Sequence, residues 1–387
     1  MFKILQLNNI SPEGVKAFSS EKYHIGTSVD NPDAIILRSY DMHEMSIPKS
    51  LKCIGRAGSG VNNIPTEAMA NHAIPVFNAP GANANAVKEL VIASILIAAR
   101  NINQAMNYVD GIEDSKSLKL DIEKGKKQYV GYELPNKTIG IIGLGAIGVK
   151  VANTCLDLGM NVIGFDPMMT VDNAWELKPG IEKAESIKDL LKLVDIITLH
   201  IPMTKSTENF IDIEEISHLD NECVIINLSR EGIVNTEAVL KALDNNKLKN
   251  YVTDFPSKEL IKNPKVINMP HLGASTNEAE IKCSIMVAES IKSFLEDGNT
   301  VNSVNFPDVY LPNNGENRLC ITNKNVPNIV GQFTTCLGKS GININDLSHK
   351  NLDQIGYTIL VIDKPPENHI IDDISKIEGV IKINSIG

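Results

Sequence analysis

Along the first eighty residues, short apolar runs alternate with polar stretches: KILQLNN, AIILRS, CIGRAG and IPVFNA. Each reads as a buried strand with a helical segment between it and the next, a βαβ pattern that implies a parallel sheet. Residues 84–107, ANAVKELVIASILIAARNINQAMN, are apolar-rich and hold no Gly or Pro, which predicts one long helix suited to packing between two domains. A second α/β series follows, with strands TIGIIG, NVIGFD, DIITLH, CVIINLS, NYVTDF and VINMP. A second long helix, over about 276–297, carries the chain back to the first domain, and GNTVNSVNFP closes that region. YLPNNGEN reads as a linker. From Arg318 the pattern becomes strand RLCITNK, helix NIVGQFTTCLGKSG, strands ININDLSHK and YTILVID, helix IIDDISKIEG and strand VIKINSI.

The expected architecture is therefore α/β: two doubly wound parallel-sheet domains plus a C-terminal α+β unit of ferredoxin-like βαββαβ order. The boundaries are 1–95 with 280–308 for the first domain, 96–279 for the second and 317–387 for the third. A length of 387 residues suits two or three domains. Composition excludes several functions. No apolar run nears the roughly 20 residues of a membrane span, and MFKILQLNN lacks a signal-peptide layout, so a cytoplasmic protein is expected. The six scattered cysteines, without a CxxC, predict reduced thiols, no disulfide framework and no metal site. A net charge of −10 argues against nucleic acid or anionic membrane as partners. Of 37 basic residues only five are arginine, at 38, 56, 100, 230 and 318. A chain that otherwise uses lysine keeps arginine where a planar fork must grip carboxylate or phosphate.

Candidate chemistry begins at IGIIGLGAIG. Gly143, Gly145 and Gly148 form G-x-G-x-x-G at a strand-to-helix turn that holds Ala146 and Ile147. The first glycine permits the turn, the second lets amides approach a pyrophosphate, and the third lets the helix pack on the strand, with the helix N-terminus facing the anion. The next strand ends at Asp166, 18 residues after Gly148. An acid there bonds the adenosine ribose and repels a 2′-phosphate, and DPMMTVDNAW carries no Lys or Arg, so NAD is expected rather than NADP. Arg230 ends the strand CVIINLSR and His271 follows VINMP, both at carboxyl ends of parallel strands, where such sheets bind ligands. The plain alternatives are a surface arginine and a capping or core histidine.

In order, GLGAIG, LHIPMTKSTENFI, INLSREGIVNTEAVL and MPHLGAST resemble the D-2-hydroxyacid dehydrogenase family. GRAGSGVNNI, VFNAPGANANAVKELVI and the C-terminal unit resemble its branch acting on a phosphorylated substrate at the first step of serine synthesis. The resemblance covers nearly the whole chain. It implies a first domain that binds substrate, a second, Rossmann domain that binds NAD, and NAD-dependent oxidation of D-3-phosphoglycerate to 3-phosphohydroxypyruvate. It makes Arg230 the carboxylate clamp and His271 the general acid/base. Ile201 would flank the adenine, while Leu228, Ser229, Arg230, Asp254, His271, Gly273 and Ala274 would line the nicotinamide, joined by Ser59 from the first domain. Arg38, Ser39, Arg56, Ser59, Gly60 and Asn78 would hold the substrate, with Asn83 a further polar contact; His200 would be structural. The C-terminal unit resembles an amino-acid-sensing ACT domain, implying L-serine as effector and a homodimer or homotetramer. There Asn325, Pro327 and Asn343 match expected positions, while Asn323 stands where such loops carry His. Another family member, acting on glycerate, erythronate phosphate or lactate, or a non-catalytic NAD-sensing protein, are the alternatives.

One register question stays open. The family shows D-x-F-x-x-E before the histidine, the Glu backing it. Aligned on Phe255, TDFPSK puts Thr253 at the Asp position and Lys258 at the Glu position, whereas a one-residue bulge restores Asp254 and Glu259. A carboxylate behind an imidazole favours its protonated form and a cation disfavours it. Glu259 is the favoured partner, and an unpaired or water-backed histidine is the rival.

Overall fold

A computed structural model describes residues 1–8, 10–112 and 117–386. The chain divides into two compact units, Met1–Asn83 with Thr276–Gly387, and Ala84–Ser275.

The first unit opens with a five-stranded parallel sheet of β1 (Phe2–Leu7), β2 (Tyr23–Gly26), β3 (Ala34–Leu37), β4 (Cys53–Arg56) and β5 (Val76–Phe77), in the order β2-β1-β3-β4-β5. All four residues of β3 are buried, which is why its sequence is unbroken apolar rather than alternating. β2, reading YHIG at the sheet edge, has only one fully buried residue and so left no apolar run to find. The helix Asn277–Asp297 returns to this sheet, burying Cys283, Val287, Ile291 and Phe294. Thr276 caps its start by accepting from the Ala279 N–H, and Gly298 ends it at φ 78°.

The C-terminal segment of this unit forms an antiparallel sheet. Its strands are β13 (Asn317–Lys324), β14 (Ile344–Leu352), β15 (Ile355–Ile362) and β16 (Val380–Ile386), in the order β14-β15-β13-β16. Helices Ile329–Lys339 and Asn368–Ser375 bury Phe333, Leu337 and Ile374 with Leu319, Ile321 and Leu360 in one core. Cys320, Tyr357, Ile359 and Val361 enter a different core, which also contains Ile4, Phe77, Phe294 and Phe306. Both faces of the inner strands β13 and β15 are thus covered, while the edge strand β14 has no buried residue. Arg318, 0% exposed, donates Nη1 to the carbonyls of Asp297 (2.8 Å) and Leu311 (3.0 Å) and Nη2 to that of Pro312, clamping the linker to the end of the long helix.

The second unit contains a seven-stranded parallel sheet of β6 (Thr138–Ile142), β7 (Asn161–Phe165), β8 (Glu182–Lys183), β9 (Ile196–Leu199), β10 (Cys223–Asn227), β11 (Leu248–Thr253) and β12 (Val266–Asn268). Its order is β12-β11-β10-β9-β6-β7-β8. The order reverses at β6, so the carboxyl ends of β6 and β9 flank a switch-point crevice. The single helix expected over 84–107 is two, Ala84–Ala99 and Ile102–Asp110. Asn101 between them takes a left-handed conformation (φ 51°), which asparagine tolerates better than other non-glycine residues, and its Nδ2 donates to the Val130 carbonyl at 3.2 Å. All six cysteines are free. Among the described residues no helix is long and apolar enough to cross a membrane.

Candidate active site

The Gly143–Gly148 turn joins β6 to the helix Ala146–Asp157. Gly143 takes φ 90°, and a Cβ on Gly148 would stand 1.9 Å from the Gly143 carbonyl oxygen, so the turn closes only with glycine at both. A Cβ on Gly145 would meet nothing within 4 Å, so the backbone there faces open space over the helix N-terminus. Asp166, just past β7, accepts from the Leu144 N–H (Oδ2, 2.8 Å) and the Met168 N–H (Oδ1, 2.8 Å), which fixes its carboxylate beside the turn. Ile201 lies against Gly143: a Cβ there would sit 2.9 Å from its Cγ2. Thus Gly143, Gly145, Ala146, Ile147, Gly148, Asp166 and Ile201 come together. His200, directly before, is half-buried with Nε2 3.1 Å from Thr198 Oγ1, and burial drives it down to about 3, so it stays neutral and structural.

Arg230 is placed by a turn after β10 that one buried side chain templates. Asn227 Oδ1 accepts from the Ser229 N–H (3.2 Å) and hydroxyl (2.9 Å), while its Nδ2 donates to the Arg230 carbonyl at 3.0 Å. Arg230 Nη1 donates to the Ser229 carbonyl at 2.6 Å. No carboxylate pairs with Arg230 among the described residues. Among the described residues its cationic fork therefore meets no carboxylate, as a carboxylate clamp requires.

His271 is exposed after β12, its ring 4.9 Å from that of Phe255. The acid that feels its charge is Asp254, just past β11, 1% exposed, whose Oδ2 accepts from the Gly273 N–H at 3.3 Å. Burial pushes the Asp254 carboxyl above its ordinary range, opposed first by the charge of His271 and then by the N–H groups around Gly273 and Leu272. Its other oxygen, Oδ1, is buried without a hydrogen-bond partner. Glu259, the favoured partner of the sequence reading, is not brought to His271. It sits in the short helix Lys258–Ile261 as an exposed carboxylate, held below its ordinary value by a backbone N–H and the Ser257 side chain. The reason is local: Ser257 caps that helix, and the first turn draws the carboxylate to its own unpaired N–H groups. Lys258 is exposed as well.

In the first unit, the strand order reverses at β1, next to β3, and Arg38 follows β3 while Arg56 ends β4. Asn8 Oδ1 accepts from the Arg38 N–H (3.2 Å), its Nδ2 reaches Ser39 Oγ (3.4 Å), and Arg56 Nε donates to the Arg38 carbonyl (3.0 Å). Asn78 Nδ2 donates to the Ser59 carbonyl at 2.7 Å, with Gly60 next along, while Asn83 is buried. Arg38 Nη1 also meets Glu280 Oε1 at 2.7 Å. In the C-terminal sheet, Asn325 and Asn343 are exposed, with Nδ2 groups on the Asp353 carbonyl (3.1 Å) and Asn345 Oδ1 (2.9 Å). Asn323 is buried, its Oδ1 unpaired.

Sequence reading missed Asn8, Asn227 and Glu280. Asn227 had a signal, an amide-bearing residue at a strand end three positions before Arg230; Glu280 had none, because about 240 residues separate it from Arg38. The nucleotide half fits a dinucleotide on its own terms: an open glycine cradle, a fixed acid at the next strand end and an orphaned buried carboxylate oxygen.

Comparison with known proteins accords with this geometry. Residues 92–273 match the model of the D-isomer specific 2-hydroxyacid dehydrogenase NAD binding domain. The chain is 36% identical over 330 residues to a D-3-phosphoglycerate dehydrogenase of Methanocaldococcus jannaschii, covering 80% of this chain and 60% of that one. It is 30% identical over 327 residues to the enzyme of that name from Escherichia coli K12, covering 81% and 76%. With the relative from Archaeoglobus fulgidus, of which 52% is covered, the chain spans little more than half the length of several relatives it matches. Among solved structures, an NAD+-bound 3-phosphoglycerate dehydrogenase of Entamoeba histolytica superposes with TM-score 0.60 at 26% identity, covering 79% and 98% of the two chains. A D-mandelate dehydrogenase of Rhodotorula graminis superposes with TM-score 0.68 at 20% identity, covering 80% and 99%, a likeness of fold.

Proposed function

This chain belongs to the D-isomer-specific 2-hydroxyacid dehydrogenase family, and on that premise we propose that it oxidises D-3-phosphoglycerate to 3-phosphohydroxypyruvate with NAD, at the first step of L-serine synthesis. The observation that carries the choice of substrate is the pair Arg38 and Arg56, joined through the Arg38 carbonyl at the switch point of the first sheet. A plain 2-hydroxy acid needs one cation for its carboxylate, and Arg230 supplies it; two further arginines suit a phosphate.

In this reading the Arg230 fork holds the substrate carboxylate, and His271 takes the proton of the 2-hydroxyl. NAD, when bound, supplies the hydride acceptor. Asp166 accepts from the ribose hydroxyls, the amides about Gly145 face the pyrophosphate, and the orphaned Asp254 Oδ1 accepts from an amide donor such as the nicotinamide carboxamide. Leu228, Ser229, Gly273 and Ala274 line the nicotinamide side, and Ser39, Ser59, Gly60 and Asn78 support the arginines. The C-terminal sheet acts as an ACT-type module, with Asn325 and Asn343 binding L-serine, in a homodimer or homotetramer.

The test is NADH oxidation by the full chain with 3-phosphohydroxypyruvate, hydroxypyruvate, glyoxylate and pyruvate, with and without millimolar L-serine. The phosphorylated acid should give the highest kcat/KM and serine should inhibit. His271→Asn should lower kcat by about a hundredfold or more with that substrate. Preference for an unphosphorylated acid would assign the chain elsewhere in the family, and no turnover with any of them would leave a binding protein. Indifference to serine would make the C-terminal module structural.

A further inference from the structure

Strand β3 ends at the buried Leu37, and the next buried anchor along the chain is Met42. Between them Arg38, Ser39, Tyr40 and Asp41 follow no regular structure. This segment carries one of the arginines read as holding the substrate phosphate, with Ser39 beside it. We infer that Asn63 is a positioning residue of the phosphate site: its side-chain amide, reaching in from the turn after β4, holds the segment in the shape that presents Arg38. The inference rests on the phosphorylated-substrate reading above.

Asn63 Nδ2 donates to the Tyr40 carbonyl at 2.6 Å and to the Arg38 carbonyl at 3.3 Å, so one amide group brackets Ser39 from both sides. The main-chain carbonyl of Asn63 accepts from the Met42 N–H at 2.9 Å, which seats the far end of the segment on the same residue. The near end is met by Asn8, whose Oδ1 accepts from the Arg38 N–H (3.2 Å) and whose Nδ2 reaches Ser39 Oγ (3.4 Å). Arg56 Nε donates to the Arg38 carbonyl at 3.0 Å, so that single oxygen joins both arginines to Asn63. Asn63 Oδ1, by contrast, is buried and accepts no hydrogen bond among the described residues.

Past the end of a strand the ladder no longer supplies donors to main-chain carbonyls, and those carbonyls must find them elsewhere. Here a side chain from another segment provides them, so the path of residues 38–41 depends on that side chain. The path matters because a guanidinium grips phosphate through a fixed fork, and a shift of about 1 Å at such a group is costly. The unpaired Oδ1 shows which half of the amide the position uses. An orphaned buried acceptor is unfavourable, and it is tolerated where the donor on the same group is needed. A side chain present only for its volume would be better as leucine, which has the same shape and leaves no orphan. Asn63 bonds to main chain alone, and the reacting carbon is held by Arg230 and His271, so Asn63 governs how the phosphate end is bound and leaves the chemical step untouched.

The experiment measures KM and kcat of the full chain for 3-phosphohydroxypyruvate and for hydroxypyruvate in wild type, Asn63→Leu, Asn63→Ala, Arg38→Ala and the Asn63→Leu, Arg38→Ala double variant. Leucine keeps the volume of asparagine and adds no charge, so it removes the donor alone. Asn63→Leu and Asn63→Ala should each raise KM for the phosphorylated acid about tenfold, the net worth of one to two hydrogen bonds, with kcat within about twofold of wild type. KM for hydroxypyruvate should stay within about twofold. In the Arg38→Ala background, Asn63→Leu should raise KM by no more than about a further twofold. A wild-type KM in Asn63→Leu with a raised one in Asn63→Ala would make the side chain a filler of space and overturn the inference. An equal loss with both acids, a fall in kcat, or failure of both single variants to fold would make it a support of the fold and overturn the inference as well. All of these outcomes leave a wild-type preference for the phosphorylated acid standing. If wild type lacks that preference, the substrate reading falls and takes this inference with it, a result told apart from the others by the wild-type data alone.

Discussion

At the scale of single residues, two acids compete for the place behind His271, and burial separates them. Asp254 is 1% exposed, has one oxygen on the Gly273 N–H and one unpaired, and feels the histidine's charge. Glu259 is exposed and bonded to its own helix start. A buried carboxylate with an orphaned oxygen is costly unless a ligand or neighbour repays it, whereas an exposed one costs little. Asp254→Asn should therefore reduce turnover by at least about tenfold, equivalent to about 1.4 kcal/mol at the transition state. Glu259→Gln should stay within about twofold of wild type. Steady-state kinetics of both variants decides it, and the reverse ranking would return Glu259 to the histidine. The arginines divide in the same way. Scarcity alone picked out five of them, yet Arg318 is fully buried on three main-chain carbonyls, a structural clamp that composition could not tell from an anion ligand.

At the scale of elements, patterning located nearly every strand that is buried on both faces, because such strands must be apolar throughout. It passed over β2, which has a single buried residue, and β8, which is exposed throughout. It also ran two helices into one across Asn101, since a left-handed residue leaves no mark on hydrophobic spacing. That residue offers a test of the element. A left-handed conformation costs a residue with a Cβ about 1–2 kcal/mol, less for asparagine and none for glycine. Asn101→Ala should lower unfolding free energy by about 1 kcal/mol, and Asn101→Gly should be neutral or better, by urea denaturation. Equal stability of the two variants would remove backbone conformation as the cause of the break.

At the scale of the whole molecule, the C-terminal sheet shares a hydrophobic core with the rest of the first unit. Cys320, Tyr357, Ile359 and Val361 join Ile4, Phe77, Phe294 and Phe306 there, and Tyr357 donates its hydroxyl to the Gly298 carbonyl at 2.7 Å. A module held by a continuous apolar core should not melt by itself. Calorimetry should show residues 317–386 unfolding with the first unit, and Tyr357→Phe should shift that shared transition downward by the equivalent of about 1 kcal/mol. A separate low-temperature transition, moved alone by the substitution, would contradict it.

What the sequence by itself determined is what local order encodes. Apolar runs gave the strands, G-x-G-x-x-G followed by Asp166 gave the nucleotide turn, and Arg230 and His271 stood at strand ends where parallel sheets present ligands. Each of these depends on residues within a few positions of one another. Only the tertiary structure decided the rest: Asp254 rather than Glu259 near His271, Glu280 on Arg38 across about 240 residues of chain, and a C-terminal sheet sealed into the first unit's core. The physical reason is common to all three. Which way a side chain turns, and what meets it there, is fixed by caps, burial and partners brought in from distant segments, and one-dimensional spacing carries no record of them.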